Sequence, residues 1–258
     1  MHIKNTLFIG KVFLDFPQLD STNAYAAGLL SKNAPTEGTV ISTFHQYAGK
    51  GQLGSAWESE PLQNLSFSVV LYPQWLSAAK QFALNTCVSL ALRDFIARYA
   101  EKTVKIKWPN DIYIQNRKIA GILIQNTLSG QTLQSSIVGM GVNVNQTVFS
   151  AQAPHATSLA LETMRVFDLY ELLNSLCQAL EQRYFQLKNS KNLHFLLEEY
   201  TQHLFGLGEV RHFRRQIGQE VFAARISHVE PTGRLVIQHA GGTTETFATK
   251  EIVFLGDG

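Results

Sequence analysis

Four β-type runs follow one another between residues 104 and 144, and they constrain the fold more than any other feature of the chain. Short turn segments, Pro109-Asn110-Asp111 and Asn116-Arg117, separate the first three runs. Strand-forming residues that alternate with turn chemistry predict a meander of neighbouring strands. The predicted strands are Val104–Trp108, Ile112–Gln115, Lys118–Leu128 and Ser135–Val144.

Strands and helices are both expected around this meander. The composition of Val12–Phe16, Thr39–Phe44 and Leu65–Tyr72 is typical of strands. Cap-type residues, Asp20-Ser21-Thr22-Asn23, precede an apolar helical segment, Ala24–Leu30. Apolar residues recur at helical spacing in three further segments, of which the first is expected to be the longest helix. They are Ser77–Ala100, Leu169–Leu187 and Leu193–Phe205.

The composition changes beyond Gly206, where short strand-like runs alternate with turn signals such as Pro231-Thr232-Gly233. We therefore expect a small β-barrel domain at residues 206–258, after a larger domain at residues 1–205. The runs are Val210–Phe213, Glu220–Val229, Leu235–His239 and Thr244–Phe247.

Charge and composition suggest neither a nucleic-acid nor a membrane partner. The chain has 22 Lys plus Arg against 20 Asp plus Glu, a formal net charge of +2. No stretch reaches the ~18 apolar residues of a membrane span, and Lys11 and Asp15 interrupt the apolar N-terminal run, so we expect a cytoplasmic protein. The two cysteines, Cys87 and Cys177, lie in separate apolar stretches and are expected to be buried thiols.

Residues 49–54, Gly-Lys-Gly-Gln-Leu-Gly, match the pattern G-x-G-x-x-G. A dinucleotide fingerprint would open a helix, but Ser55–Asn64 is expected to be a loop before a strand. The kinase motifs H-R-D and D-F-G are absent from the chain. Two interpretations remain: a loop whose free backbone N–H groups and Lys50 bind an anion, or a mobile surface loop.

A second notable segment is Lys107-Trp108-Pro109-Asn110-Asp111, followed by Lys118 at the start of an apolar strand. A buried ammonium group needs a partner, whereas a lysine at a strand end can also extend to water. Taken alone, Asp111 is compatible with an ordinary turn residue and Trp108 with an ordinary core aromatic.

In order and spacing, these segments together resemble the catalytic domain of biotin protein ligases. The resemblance also includes Trp57, Lys118 with Gly121, and Gly139-Met140-Gly141-Val142-Asn143. It implies an α+β fold of the class II synthetase type, in which helices pack on a mixed, mainly antiparallel sheet, with an SH3-like barrel at the C-terminal end.

The activity implied by this resemblance is ATP-dependent ligation of biotin to a protein. Biotin's carboxylate attacks the α-phosphate of ATP, with Mg²⁺ present, to give biotinyl-5′-AMP and pyrophosphate. A lysine of a biotin carboxyl carrier protein, part of a biotin-dependent carboxylase, then displaces AMP. Both steps concentrate negative charge, which preorganised cations stabilise. By resemblance, Lys118, Asp111 and Lys50 are catalytic, and Asp111 either holds Mg²⁺ or orients and deprotonates the incoming lysine.

The resemblance also assigns binding residues. For Asn23, a role as a helix cap is an equal alternative to a structural one in the biotin site. Glycines in the strands are expected where a group approaches the backbone closely. Expected at the biotin site are Ser21, Thr22, Asn23, Gln46, Gly49, Lys118, Gly121, Gly139 and Gly141. Expected at the adenylate site are Lys50, Gly51, Gln52, Trp57, Lys107, Asn110 and Asn143.

The glycine segment departs from the Gly-Arg-Gly-Arg-x-x-Arg pattern of several members, because Lys50, Gln52 and Ser55 occupy its basic positions. We hypothesise that biotinyl-AMP is released more readily than from arginine-rich relatives. Few residues precede Ser21, so a ligase without a DNA-binding repressor domain is expected. A lipoate–protein ligase and a non-catalytic biotin-binding protein remain alternatives, and the chain is expected to be a monomer or a homodimer.

Overall fold

A computed structural model describes residues 3–190 and 192–255. Residues 1–2 and 256–258, which belong to the two predicted domains, lie outside the described residues. Within the described ranges the helices are α1 Thr22–Lys32, α2 Phe82–Ala97, α3 Leu159–Thr163, α4 Leu169–Asn189 and α5 His194–Gln202. The strands are β1 Phe13–Phe16, β2 Val40–Thr43, β3 Gly49–Lys50, β4 Ala56–Trp57, β5 Asn64–Leu71, β6 Val104–Lys107, β7 Asp111–Ile114, β8 Arg117–Ser129, β9 Thr132–Asn143, β10 Val210–Arg215, β11 Val221–Val229, β12 Leu235–Gln238, β13 Thr244–Phe247 and β14 Ile252–Leu255.

The main sheet has seven strands in the order β1-β2-β5-β9-β8-β7-β6. Its last four strands along the chain, β6 to β9, form the predicted antiparallel meander. Only the β1–β2 pair in this sheet is parallel. The prediction of a mixed, mainly antiparallel sheet with helices packed on it is therefore confirmed.

Alternating side chains of the central strands serve two separate layers, as a pleated strand requires. Val70 and Ile137 pack with Ala26 of α1 on one face. Val69 and Val138 lie on the opposite face, in the large core beneath α2 and α4. Burial of both faces explains why these strands are nearly continuous apolar runs.

Helix α4, with 21 residues, is longer than α2, with 16. The prediction that Ser77–Ala100 is the longest helix is therefore wrong. Ser77 is extended, and residues Ala78–Lys80 form a 3₁₀ turn before α2 begins at Phe82. Helix α4 continues to Asn189 from its N-cap, Asp168, whose carboxylate accepts a hydrogen bond from the Glu171 N–H at 2.9 Å.

The second sheet has five antiparallel strands in the order β13-β12-β11-β10-β14. Its order leaves β13 and β14 as edges, so the strands form an open sheet and the closed barrel is not confirmed. Strand β14 was not predicted. The division at residue 205 stays a prediction.

The two sheets are joined by specific contacts. The indole N–H of Trp108 donates a hydrogen bond to the Gly233 carbonyl oxygen at 2.9 Å. In the segment that leads from α5 to the second sheet, His203 and Phe205 exchange backbone hydrogen bonds with Ile106 of β6, both at 2.8 Å. Trp108 is therefore more than an ordinary core aromatic, because it fixes the second sheet against the turn after β6.

Two further predictions concern single residues and membrane association. Cys87 and Cys177 are buried free thiols, as expected, and burial raises the pKa of Cys87 to about 12. Among the described residues, no helix has both the length and the apolar character needed to cross a membrane.

Candidate active site

A cavity of about 320 Å³ lies where the main sheet, the glycine segment and the second sheet meet. It gathers residues that are far apart in sequence, and most of the predicted site residues line it. Those in the lining are Ser21, Thr22, Asn23, Gln46, Lys50, Gly51, Gln52, Trp57, Asn110, Asp111, Lys118, Gly121, Gly139 and Gly141. Gly49, Lys107 and Asn143 are predicted site residues outside this lining.

One end of the cavity is polar and is built on the start of α1. Gln46 Oε1 accepts the Thr22 backbone N–H at 2.9 Å, which leaves the Gln46 amide nitrogen as a donor. The Ser68 hydroxyl lies 2.8 Å from Thr22 Oγ1 and 2.7 Å from Asn23 Oδ1. Since Asn23 Oδ1 only accepts, Ser68 donates to it and Thr22 donates to Ser68. This end therefore presents the Gln46 donor beside the lone pairs of Thr22 Oγ1.

Asn23 fixes α1 to the sheet. Its amide nitrogen donates to the Leu123 carbonyl at 3.1 Å and to Gln125 Oε1 at 3.0 Å, and its side chain is buried. The N-cap of α1 is Ser21, whose hydroxyl oxygen accepts from the Ala24 N–H at 3.4 Å. The helix-cap alternative for Asn23 is therefore wrong, and its contacts are structural.

Glycines form the floor of the cavity where neighbouring side chains approach the backbone. A Cβ atom at Gly141 would lie 2.6 Å from Trp57 Cζ2, and one at Gly121 would lie 3.2 Å from Trp57 Cζ3. At Gly139 it would lie 2.8 Å from Asn23 Cγ. The expected close approach is confirmed, and the approaching groups are side chains of this chain.

An ion pair lies at the centre of the site. Lys118 Nζ is 2.7 Å from Asp111 Oδ2, with side chains 33% and 26% exposed. A register shift between Ile112 and Tyr113 makes Gly121 the cross-strand neighbour of Asp111 and Lys118 the neighbour of Tyr113. The Lys118 ammonium therefore has an ion-pair partner, and that partner is Asp111.

The backbone of Lys118 is held independently of its side chain. Its N–H donates to the His155 carbonyl at 2.7 Å, and its carbonyl accepts from the Thr157 N–H at 2.8 Å. The ammonium lies 5.7 Å from the centroid of the Trp57 ring. Backbone contacts thus fix the root of the side chain while its charged end faces the cavity.

A second cavity, of about 450 Å³, adjoins the first and shares Trp57 and Lys118 with it. Asn143 lines this cavity, and its amide nitrogen donates to the Thr157 carbonyl at 2.9 Å. Two buried polar atoms, Asn143 Oδ1 and Trp57 Nε1, have no hydrogen-bond partner among the described residues. Unpaired buried groups of this kind are costly unless a ligand satisfies them.

The glycine segment is more ordered than predicted. Gly49–Lys50 pairs with Ala56–Trp57 in a small hairpin, so Ser55–Asn64 is not entirely loop. The Gly51 N–H, expected to be free for an anion, donates to the Ser55 carbonyl at 2.7 Å because this contact closes the hairpin. Lys50 is exposed and has no ion-pair partner within the described part of the chain.

Two residues predicted for the adenylate site lie in different environments: Asn110 is buried beside the cavity, whereas Lys107 lies among aromatic rings outside it. Asn110 is buried, donates its amide N–H to the Ile122 carbonyl, and fixes the turn that carries Asp111. The Lys107 ammonium lies outside the cavity lining, 4.9 Å from the Tyr113 ring centroid and 5.4 Å from that of Phe254. An adenylate contact by Lys107 stays a prediction.

The carboxylates and other potential metal ligands near the cavity determine whether the protein alone could hold a metal ion. Among the residues that the structure describes, Asp111 is the single carboxylate that lines the first cavity. No cluster of three or more His, Cys, Asp or Glu suited to a metal occurs in the described ranges. A dedicated protein cage is therefore not formed by these residues.

Sequence reasoning missed the wall that the second sheet contributes. Gln216, Thr249 and Lys250 line the first cavity, as do Ile252 and Phe254 of β14. No local motif marks these residues, because only the packing of one sheet on the other brings them to the site.

Several known proteins are similar to this chain in sequence. The sequence model of the Biotin/lipoate A/B protein ligase family matches residues 16–143. A biotin--[acetyl-CoA-carboxylase] ligase from Paracoccus denitrificans is 36% identical over 171 residues, which cover 62% of this chain and 68% of that protein. A bifunctional ligase/repressor BirA from Bacillus subtilis is 33% identical over 141 residues, or 55% of this chain, and the match spans 43% of that relative's length.

The fold has a counterpart among solved structures. A biotin protein ligase from Aquifex aeolicus, in complex with biotin and ATP, superimposes with a TM-score of 0.77 at 24% identity. The superposition covers 95% of this chain and 98% of that one. At this level of identity the likeness is one of fold.

Proposed function

Since the chain belongs to the biotin/lipoate A/B protein ligase family, we propose that it is an ATP-dependent biotin–protein ligase. The observation that carries the proposal is the Lys118–Asp111 pair, held at 2.7 Å where the two cavities meet. A cation at that point serves two anions that must come together, a carboxylate and a phosphate.

In the first step, biotin's carboxylate oxygen attacks the α-phosphorus of ATP and the bond to the β-phosphate oxygen breaks. Pyrophosphate leaves and biotinyl-5′-AMP remains. Lys118 offsets the repulsion between the carboxylate and the phosphate and stabilises the charge that builds up on the phosphoryl oxygens. Its fixed backbone means that little reorganisation is required during the reaction.

The polar end of the first cavity suits the cyclic urea of biotin. A ureido group presents one carbonyl acceptor and two N–H donors, and each must find a partner when the ring leaves water. The Gln46 amide nitrogen supplies a donor and Thr22 Oγ1 supplies lone pairs. Gly121, Gly139 and Gly141 add no side chains to the cavity, and the Trp57 and Asn23 side chains pack against them beside the space proposed for the bicyclic ring.

The second cavity suits the nucleotide. Adenine carries an exocyclic amine and ring nitrogens, and the unpaired Asn143 Oδ1 is an acceptor for such an amine.

Mg²⁺ commonly takes one or two protein carboxylates together with substrate phosphates. The single carboxylate of Asp111 fits an ion that arrives bound to ATP, where the ion would neutralise phosphate charge.

In the second step, the amine of a carrier lysine attacks the acyl carbon of biotinyl-AMP, AMP leaves, and the nitrogen loses a proton. Asp111 faces the same cavity and is a base within reach of an incoming amine, so both of its predicted roles remain part of the proposal. The acceptor we propose is a biotin carboxyl carrier protein, in line with the Paracoccus denitrificans relative named for acetyl-CoA carboxylase.

Two measurements test the proposal and its alternatives. The protein is incubated with ATP, Mg²⁺ and either biotin or lipoate, and pyrophosphate release is followed. A biotin-dependent release supports the proposal, whereas a lipoate-dependent release supports a lipoate–protein ligase. Adding a biotin carboxyl carrier domain then separates a ligase from a binding protein, because only a ligase increases the mass of the carrier by one biotinyl group.

Substitution of the central lysine supplies a sharper test. Lys118→Ala is expected to lower pyrophosphate release by about 10²–10³-fold, the usual loss when one preorganised donor is removed. The pair is partly exposed, so unfolding stability should change by less than about 1 kcal/mol. Lys105→Ala, on β6 of the same sheet and outside the lining of the first cavity, is the matched control. Full activity of Lys118→Ala would refute the assignment.

A further inference from the structure

The second sheet contributes a charged residue to the cavity through Lys250, in the turn between β13 and β14. Hydrogen bonds fix this turn on both sides. The Ala248 N–H donates to Glu251 Oε2 at 2.6 Å, and the Gln216 N–H donates to the Glu251 carbonyl at 2.9 Å. The backbone that carries Lys250 is therefore held in place.

Lys250 adopts a backbone conformation that favours glycine, with φ at +79°. Four other turn positions between β10 and β14 have positive φ: Gly218, Gly233 and Gly242, at +78°, +89° and +83°, and Gln219, at the smaller value of +55°. A glycine at position 250 would form the same turn with less strain. Because an unfavourable conformation is retained where a side chain faces a cavity, a role for the side chain is the inference to test.

The charges around the cavity indicate that this role is the binding of an anion. Its charged lining residues are Lys50, Asp111, Lys118 and Lys250. Lys118 and Asp111 neutralise each other. Neither the Lys50 ammonium nor the Lys250 ammonium forms a hydrogen bond or an ion pair with another residue in the described ranges, so the lining carries two uncompensated positive charges.

Biotin brings one negative charge, and Lys118 already lies where its carboxylate would meet the α-phosphate. Most of the negative charge of ATP is on its β- and γ-phosphates. In the glycine segment, Gln52 and Ser55 are neutral and leave Lys50 as the single cation of that segment. A second cation on the opposite wall supplies charge that the segment lacks.

We propose that Lys250 binds the β- and γ-phosphates of ATP in the adenylation step and so determines affinity for the nucleotide. This inference rests on the proposed ligase function. Lys250 has no part in recognising biotin or in the transfer of biotin to the carrier.

The test compares Lys250→Ala and Lys250→Gly with the wild-type full chain in steady-state pyrophosphate release. Loss of one charge-assisted contact is expected to raise KM for ATP by about tenfold. The value of kcat and KM for biotin should change less than about twofold, because Lys118 and the α1 end of the cavity remain. Lys250→Arg should retain most of the affinity.

Lys250→Gly relieves the strained backbone, so a rise in KM for ATP in that variant cannot be ascribed to unfolding. Lys11→Ala removes the same charge at an exposed position outside the cavity and is the matched control. Transfer from supplied biotinyl-AMP to the carrier should proceed at the wild-type rate in Lys250→Ala and in Lys250→Gly.

Two results would overturn the inference: an unchanged KM for ATP, or equal losses for biotin and ATP. Either would leave the proposed function intact as long as the wild-type protein releases pyrophosphate with biotin. Absence of biotin-dependent release by the wild-type protein would instead refute the proposed function itself.

Discussion

Alanine at position 139 tests whether the glycine floor is required for the fold of the site. Gly139 faces Asn23, and an added Cβ would lie 2.8 Å from Asn23 Cγ, which is closer than side-chain carbons pack. The φ of Gly139 is not in the left-handed region. The expected cost therefore comes from displacing Asn23 and not from backbone strain.

The magnitude follows from what Asn23 would lose. Its amide makes three hydrogen bonds, to Ser68, Leu123 and Gln125, and it is 5% exposed. At about 0.5–1.5 kcal/mol each, three buried hydrogen bonds amount to about 3 kcal/mol. Alanine also reduces the conformational entropy of the unfolded chain, which offsets about 0.4–1 kcal/mol of this loss of stability. We expect Gly139→Ala to reduce the unfolding free energy by about 2–3 kcal/mol.

Equilibrium urea unfolding measures this change, and Gly28→Ala is the matched control. Gly28 lies within α1, and an added Cβ there meets no atom within 4 Å. That variant should be more stable by up to about 1 kcal/mol, the helix propensity difference. An unfolding midpoint for Gly139→Ala at or above that of the wild type would refute the reasoning.

Three further outcomes are expected. Trp108→Phe leaves the Gly233 carbonyl without its donor and should lower the unfolding free energy by about 1–2 kcal/mol, measured in urea; an unchanged midpoint would contradict this. The pKa of His203 lies below 6.5, chiefly because the side chain is partly buried and secondly because Arg93 and Lys105 are positively charged. As the pH falls, His203 is therefore protonated in the unfolded chain before it is protonated in the folded protein. Stability should therefore decrease below about pH 6.5, and His203→Gln should flatten that slope in pH-dependent unfolding. Gln52→Arg should slow dissociation of biotinyl-AMP in a filter-binding assay, and an unchanged rate would reject the retention hypothesis.

Much of the main sheet was predictable because its strands carry local signals. The meander from β6 to β9 combines apolar runs with turn residues, and both signals lie within a few residues of each other. Helix α3 has five residues, too few to show a helical period. Strand β14 is defined by its pairing with β10, about forty residues earlier along the chain.

The candidate site was predictable in composition but less so in geometry. The resemblance placed Lys118 and Asp111 in the same site, and the antiparallel pairing of β7 with β8, with Lys118 opposite Tyr113, brings these residues into contact. The Gly51 N–H could not be assigned from sequence, because its use depends on closure of the β3–β4 hairpin. Lys250 carries no local signal at all, since its place in the site depends on how the two sheets pack.

The hydrogen bond from Trp108 to the Gly233 carbonyl limits which C-terminal segments could replace residues 206–258 in a chimeric protein. The acceptor is a backbone atom, so a substituted C-terminal segment must reproduce the path of the turn at Gly233 and not a particular side chain. Position 233 strongly favours glycine, because its φ of +89° and the neighbouring Phe82 ring both disfavour a residue with a Cβ atom. A chimera that exchanged residues 206–258 without that turn would leave the indole unsatisfied, three residues from the carboxylate of Asp111.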